Sequence, residues 1–153
     1  MDFNGVYGLY KLVFLFIITT VIINVYTFSN NYQKNNYNNS KKYPLLPPSY
    51  IIALVWTVLI GFMAYSQWIV LQTTKTNTNN WKRWLIPILF IYCILYPFYT
   101  KGFTNKRIIV TANIFTIILS AFIAYSIYNI TNIGSYLIFM TTIWSSFATY
   151  ASW

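Results

Sequence analysis

The chain alternates between long apolar segments and shorter polar ones, and the apolar segments have the length needed to cross a bilayer. A membrane-spanning helix needs about 20 predominantly apolar residues, within a range of about 17 to 25. Segments of roughly this length occur at residues 7–28, 49–72, 84–100, 108–130 and 136–153. The pattern therefore predicts an all-α membrane protein with a single bundle of five transmembrane helices and no second domain.

The polar connections predict where the helices end. Residues 29–48 are rich in Asn and Tyr and close with three prolines, which predicts a long first loop. The stretch TNIGS at 131–135 predicts a turn between the last two helices. Pro97 lies within the third segment, where a proline removes a backbone hydrogen bond. We therefore expect a kink or a break close to Pro97.

Composition identifies the solvent of this chain. Hydrophobic residues make up 58% of the sequence and charged residues 7%, whereas a soluble domain carries roughly 25% charged residues. So little charge cannot cover a water-facing surface. We therefore expect the lipid bilayer to surround most of the protein surface, as it does in an integral, multi-pass membrane protein.

The basic residues predict an orientation rather than a nucleic-acid site. Ten Lys and Arg against one acid give a net charge of +9. Nine of the ten fall between the apolar segments, and Lys11 lies near the start of the first, so they do not form the stripe that nucleic acid requires. The first and third loops contain Lys34, Lys41, Lys42, Lys101, Lys106 and Arg107. Because cytoplasmic loops are enriched in Lys and Arg, loop one, loop three and the C-terminus are predicted to face the cytoplasm.

The residues that usually carry catalysis or hold metals are scarce. The sequence has no His, its single acid is Asp2, and its single cysteine, Cys93, lies inside an apolar segment. General bases and metal ligands are mostly drawn from these residue types. We therefore expect no catalytic residue, no metal site and no required cofactor.

The start of the second segment carries the most specific motif. The block PPSYIIALVWTVLIGFMAYSQWIV, residues 47–70, combines two prolines, an aromatic residue and a tryptophan six positions further on. It resembles the signature of the TspO/MBR family, the tryptophan-rich sensory or translocator proteins, with Tyr50 where the family has a tryptophan. The stretches LYPFYT, around Pro97, and IWSSFATYASW, at the C-terminus, resemble two further family segments. The resemblance covers most of the chain.

The resemblance implies a pocket near loop one, formed by that loop and the second and fifth spans. Its expected ligand is a planar hydrophobic molecule of the porphyrin or haem type; sterols and benzodiazepine-like compounds are further ligands of such proteins. The residues implied as ligand-binding are Pro47, Pro48, Tyr50, Trp56, Leu59, Met63, Pro97, Trp144, Phe147 and Ala148. Trp56 and Trp144 are expected to face each other across the slot, with Lys41 and Lys42 at its mouth. Stacking adds about 0.5 to 1.5 kcal/mol per aromatic pair.

Several alternatives stay open. Trp144 and Pro97 can serve helix packing and kinking, and Ala148 can permit close helix approach. A small pore or channel is the competing function, although the apolar segments offer few polar groups to line one. Porphyrin degradation would depend on the pigment's own photochemistry. Sterol binding is not favoured, because the sequence lacks the basic residue that completes the usual motif. A homodimer is an expected partner, without a particular interface.

Overall fold

The computed structural model describes residues 5–29, 45, 47–73, 80–100 and 105–152. Every regular element in these ranges is helical, which confirms the prediction of an all-α protein for this part of the chain. The elements are α1 (Gly5–Ser29), α2 (Ser49–Thr73), a 3₁₀ helix (Asn80–Trp84), α3 (Leu85–Ile94), α4 (Tyr96–Tyr99), α5 (Lys106–Ile127) and α6 (Asn132–Ser152).

Three of these helices are long and apolar enough to cross a membrane. They contain the stretches Gly5–Tyr26, Tyr50–Thr73 and Lys106–Ile127. α3 has only 10 residues, and α6 has 21 residues with Asn, Ser and Thr among them. Among the described residues, length and composition thus support three crossings, and the predicted total of five remains a prediction.

The third apolar segment is broken at the expected place. α3 ends at Ile94, Leu95 forms a turn, and Pro97 lies in the first turn of α4. A proline at residue 97 cannot donate a hydrogen bond to the carbonyl of Cys93, four residues earlier. The last helical hydrogen bond of α3 runs from the N–H of Leu95 to the carbonyl of Ile91, at 3.1 Å. The predicted break near Pro97 is confirmed.

The predicted turn between the last two helices is wrong in position. The turn occupies residues 128–130, and α6 begins at Asn132, so most of TNIGS belongs to the helix. Thr131 starts α6: its Oγ1 accepts a hydrogen bond from the N–H of Gly134 at 3.0 Å. This is the usual role of a threonine just before a helix. Gly134, interpreted as a turn residue, lies in the first helical turn.

The helices share one apolar core. α2 contacts α1, α3 and α6, and α5 contacts α3 and α6. Phe16 of α1 stacks on Phe90 of α3, with ring centroids 4.1 Å apart. The indole N–H of Trp68 in α2 donates a hydrogen bond to the carbonyl of Gly5, 2.9 Å away, which fixes the start of α1.

The outer side of α1 is apolar and exposed. Only 17% of its most apolar 18-residue stretch is buried inside the molecule. Phe14, Ile22 and Val25 are each more than half exposed. Such a surface is stable when acyl chains cover it.

Gly134 tests how tightly the first turn of α6 is packed against Thr131. A Cβ at Gly134 would lie 2.7 Å from Cγ2 of Thr131 and 3.5 Å from Cβ of Ser66. Thr131 cannot rotate away without losing its hydrogen bond to the N–H of Gly134. We expect Gly134→Ala to lower the free energy of unfolding by about 1 kcal/mol, measured by denaturation in mixed micelles. The control is Gly61→Ala in α2, where a Cβ meets nothing within 4 Å; there helix propensity predicts no loss. Equal effects of the two substitutions would contradict the crowding of Gly134 by Thr131.

Candidate ligand-binding groove between α2 and α6

Hydroxyl groups hold α6 against α5. The hydroxyls of Ser120 in α5 and Thr142 in α6 are hydrogen-bonded at 2.8 Å. Ser135 of α6 donates a hydrogen bond to the carbonyl of Ala124 in α5, 2.7 Å away. All four of these residues are buried. Small side chains let two helix backbones approach closely, and hydroxyls then link them where no water is present.

A further hydroxyl holds α6 against α2. Ser66 of α2 donates a hydrogen bond to the carbonyl of Gly134 in α6 at 3.1 Å. At this contact the side chains are small, so the two helices lie close together. Further along both helices, towards the start of α2, the facing side chains are larger. The space between the helices there is a groove.

The groove has a volume of about 300 Å³ and an entirely apolar lining. The lining residues are Leu54, Val55, Val58, Leu59, Phe62, Met140, Ile143 and Trp144. Leu59 is 3% exposed and forms the buried floor, whereas Leu54 and Ile143 are more than half exposed and form the rim. A groove of this kind can bind the apolar body of a ligand, but its own lining offers few groups that could fix a polar substituent.

An aromatic pair stands at one side of the groove. Trp144 is half-buried, and its ring centroid lies 5.5 Å from that of Phe147, with the planes tilted by 36°. The two residues are three positions apart on α6, so their side chains lie on one face of the helix. Together they offer an extended ring surface, which suits a flat ligand.

The structure brings two of the predicted site residues into the groove, Leu59 and Trp144, and a third, Phe147, beside it. Trp56 is half-buried and packs against the core cluster, and Met63 is fully buried in that cluster. Trp56 and Met63 therefore lie on the core side of α2, and neither is among the residues that line the groove.

The remaining predicted residues lie apart from the groove lining. Pro47 and Pro48 precede α2, and Tyr50 in its first turn is 72% exposed. Pro97 lies in α4, and Ala148 is half-buried on α6, one turn beyond Trp144. Lys41 and Lys42, expected at the mouth of the pocket, fall outside the described residues, as does most of loop one.

Sequence reasoning missed most of the lining. Leu54, Val55, Val58 and Phe62 are ordinary apolar residues in an apolar segment, and nothing in their chemistry distinguishes them. Their spacing is informative: together with Leu59 they form a stripe at helical periodicity. That stripe indicates a shared face of α2, but the sequence does not reveal which helix the face meets.

The long helices expose apolar surfaces to their surroundings. Together with the family to which the chain belongs, these surfaces define an integral, helical membrane protein. A model of the TspO/MBR family matches residues 12–153, nearly the whole sequence, and the chain belongs to this family. The resemblance stated from the sequence is thereby confirmed. The family is generally one of receptor- and transporter-like proteins. Searches of curated proteins and of solved structures found no match.

The bond between Ser120 and Thr142 tests what holds α6 in place. We expect the double-mutant cycle of Ser120→Ala and Thr142→Ala to give a coupling free energy of about 0.6 kcal/mol, the average for such bonds between membrane helices. The measurement is the free energy of unfolding in mixed micelles. The control cycle pairs Ser120→Ala with Thr149→Ala, because the Thr149 hydroxyl bonds within its own helix, to the carbonyl of Ser145. Equal coupling in both cycles would show that the interhelical bond contributes nothing specific.

Proposed function

We propose that this protein is a membrane receptor or transporter-like protein that binds planar hydrophobic ligands of the porphyrin type in the groove between α2 and α6. The observation that carries the proposal is the apolar groove of about 300 Å³ with Trp144 in its wall. Membership in the TspO/MBR family supports it, because the family suggests a membrane protein of translocator type that binds sterols or porphyrins.

The lining favours a flat apolar ligand over a polar one. Its residues are aliphatic apart from Phe62 and Trp144, and sites for small ligands generally combine such surfaces with a few polar groups. The volume is at the lower end of the usual range of about 300 to 1,000 Å³. We infer that the groove covers one face of the ring system, and that loop one, with Lys41 and Lys42, covers the other and pairs with the ligand's carboxylates.

The proposal includes five crossings of the membrane. In this arrangement α6 is one further crossing, and the 3₁₀ helix with α3 and α4 forms the other. Close contact of α6 with both α5 and α2 supports its place inside the same bundle. Loop one and the C-terminus would then face the cytoplasm, and Pro47 and Pro48 would set the direction in which loop one meets α2.

Trp144 is the decisive residue for the proposed site. We expect Trp144→Ala to weaken the binding of protoporphyrin by about tenfold, the upper end of what one stacked aromatic pair contributes. The measurement is quenching of intrinsic tryptophan fluorescence by protoporphyrin, which remains possible in the variant because it keeps five of the six tryptophans.

Trp56→Phe is the matched control, because Trp56 is a half-buried tryptophan that packs on the core side of α2. If the ligand lies in the groove, this variant binds protoporphyrin as the unchanged protein does. Lost binding in Trp56→Phe with normal binding in Trp144→Ala would place the ligand inside the bundle and exclude the groove. Equal loss in both would support the slot between two tryptophans expected from the sequence.

The ring rather than the metal is expected to provide the binding energy. The sequence contains no His, the commonest axial ligand of haem iron. We therefore expect metal-free protoporphyrin and iron protoporphyrin to bind with affinities within about threefold of each other. A much tighter complex with the iron form, together with the absorption shift of a new axial ligand, would contradict this prediction.

A further inference from the structure

A second cavity lies at the end of α5 and has a different chemistry from the groove. Its volume is about 290 Å³, and its lining residues are Trp81, Lys82, Tyr125, Ser126, Tyr128 and Asn129. None of these residues lines the groove between α2 and α6. The cavity combines one cation, one indole ring and several hydroxyl and amide groups. This lining suits a polar and anionic group better than an apolar one.

The lysine of this cavity is held on a fixed support. Lys82 belongs to the 3₁₀ helix. The carbonyl of the following residue, Arg83, accepts a hydrogen bond from Nε2 of Gln67 at 3.0 Å. Gln67 is only 4% exposed, so this bond anchors the 3₁₀ helix to the interior of α2. Nζ of Lys82 lies 5.9 Å from the ring centroid of Trp81. The cation is therefore positioned beside the cavity by its own helix and by an aromatic neighbour.

The nearby carbonyls at the end of α5 already have partners. The carbonyl of Tyr125 accepts a hydrogen bond from the N–H of Tyr128, and that of Ile127 accepts from Ile130 and Thr131. The described part of the chain contains no acidic side chain, because the single acid of the sequence is Asp2. Within that part, no carboxylate complements Lys82, and an anion from outside the protein can.

We propose that this cavity binds a phosphate group, presented either by an anionic phospholipid or as free phosphate. The ammonium of Lys82 would pair with the phosphate, and the side chains of Ser126, Tyr128 and Asn129 can donate hydrogen bonds to its oxygens. Trp81 is 53% exposed and close to the end of an apolar segment, where indole rings settle at the level of lipid headgroups.

The test uses the full-length protein in an uncharged detergent at constant ionic strength. Dioctanoyl phosphatidylglycerol, dioctanoyl phosphatidylcholine and inorganic phosphate are titrated separately, and binding is followed by calorimetry and by native mass spectrometry. We expect phosphatidylglycerol to bind about tenfold more tightly than phosphatidylcholine, and Lys82→Gln to reduce that affinity by about tenfold, as expected for loss of hydrogen bonds to a charged group.

Two variants separate a specific site from general charge effects. Lys82→Arg keeps the cation and should retain binding within about threefold. Lys11→Gln removes an equal charge from an exposed position on α1 and should leave the affinity for phosphatidylglycerol and for inorganic phosphate unchanged. Inorganic phosphate that binds with the same dependence on Lys82, while the lipid gains no advantage, would support the site and identify free phosphate as its ligand.

Two results would overturn the proposal. The first is that Lys82→Gln binds phosphatidylglycerol and inorganic phosphate as tightly as the unchanged protein does. The second is a Lys82→Gln variant with a lower thermal midpoint in the absence of lipid but normal lipid binding. That second result would mean that Lys82 only stabilises the fold, through its interaction with the partial negative charge at the C-terminal end of α5.

Discussion

The structure depends on the close approach of α6 to α5 and α2. Lipid is as apolar as leucine, so membrane helices gain little from burying apolar surface against each other, and association rests on close contact and on hydrogen bonds. Here Ser120 and Thr142 link α5 to α6, while Ser66 reaches the carbonyl of Gly134. The residues at these contacts are small or carry hydroxyls. Their bonds fix the rotation of α6 about its axis, and that rotation decides which side chains line the groove.

The two cavities differ because the residues at their positions differ. Between α2 and α6 the lining is apolar throughout and faces the region where acyl chains are expected. At the end of α5 the lining includes Lys82 beside Trp81, with hydroxyl and amide groups opposite. A charged group is costly at the bilayer centre and much less so at its surface. This cost agrees with an apolar cavity along the long helices and a polar cavity at the end of one of them.

Much of the fold could be predicted from local pattern. The apolar segments indicated the helices, and Pro97 indicated the break between α3 and α4 because a proline lacks a backbone donor wherever it occurs. The start of α6 was predicted wrongly. The Gly and Asn of TNIGS resemble turn residues, but Thr131 caps the helix, and a Cβ at Gly134 would collide with the Thr131 side chain. Ser66 of α2 also donates a hydrogen bond to the carbonyl of Gly134, and no local rule contains this contact with a distant part of the chain.

The sequence by itself determined the helical class, the membrane setting and, through the block that begins at Pro47, the family, since each follows from composition or from residues close in the chain. The tertiary structure decided which residues share a site. It placed Trp144 beside Leu59 in the groove and left Trp56 against the core. The direction of a side chain around its own helix is set by periodicity, but its neighbour is set by how two helices rotate against each other. That rotation depends on contacts such as Ser66 with Gly134, which lie 68 residues apart in the chain.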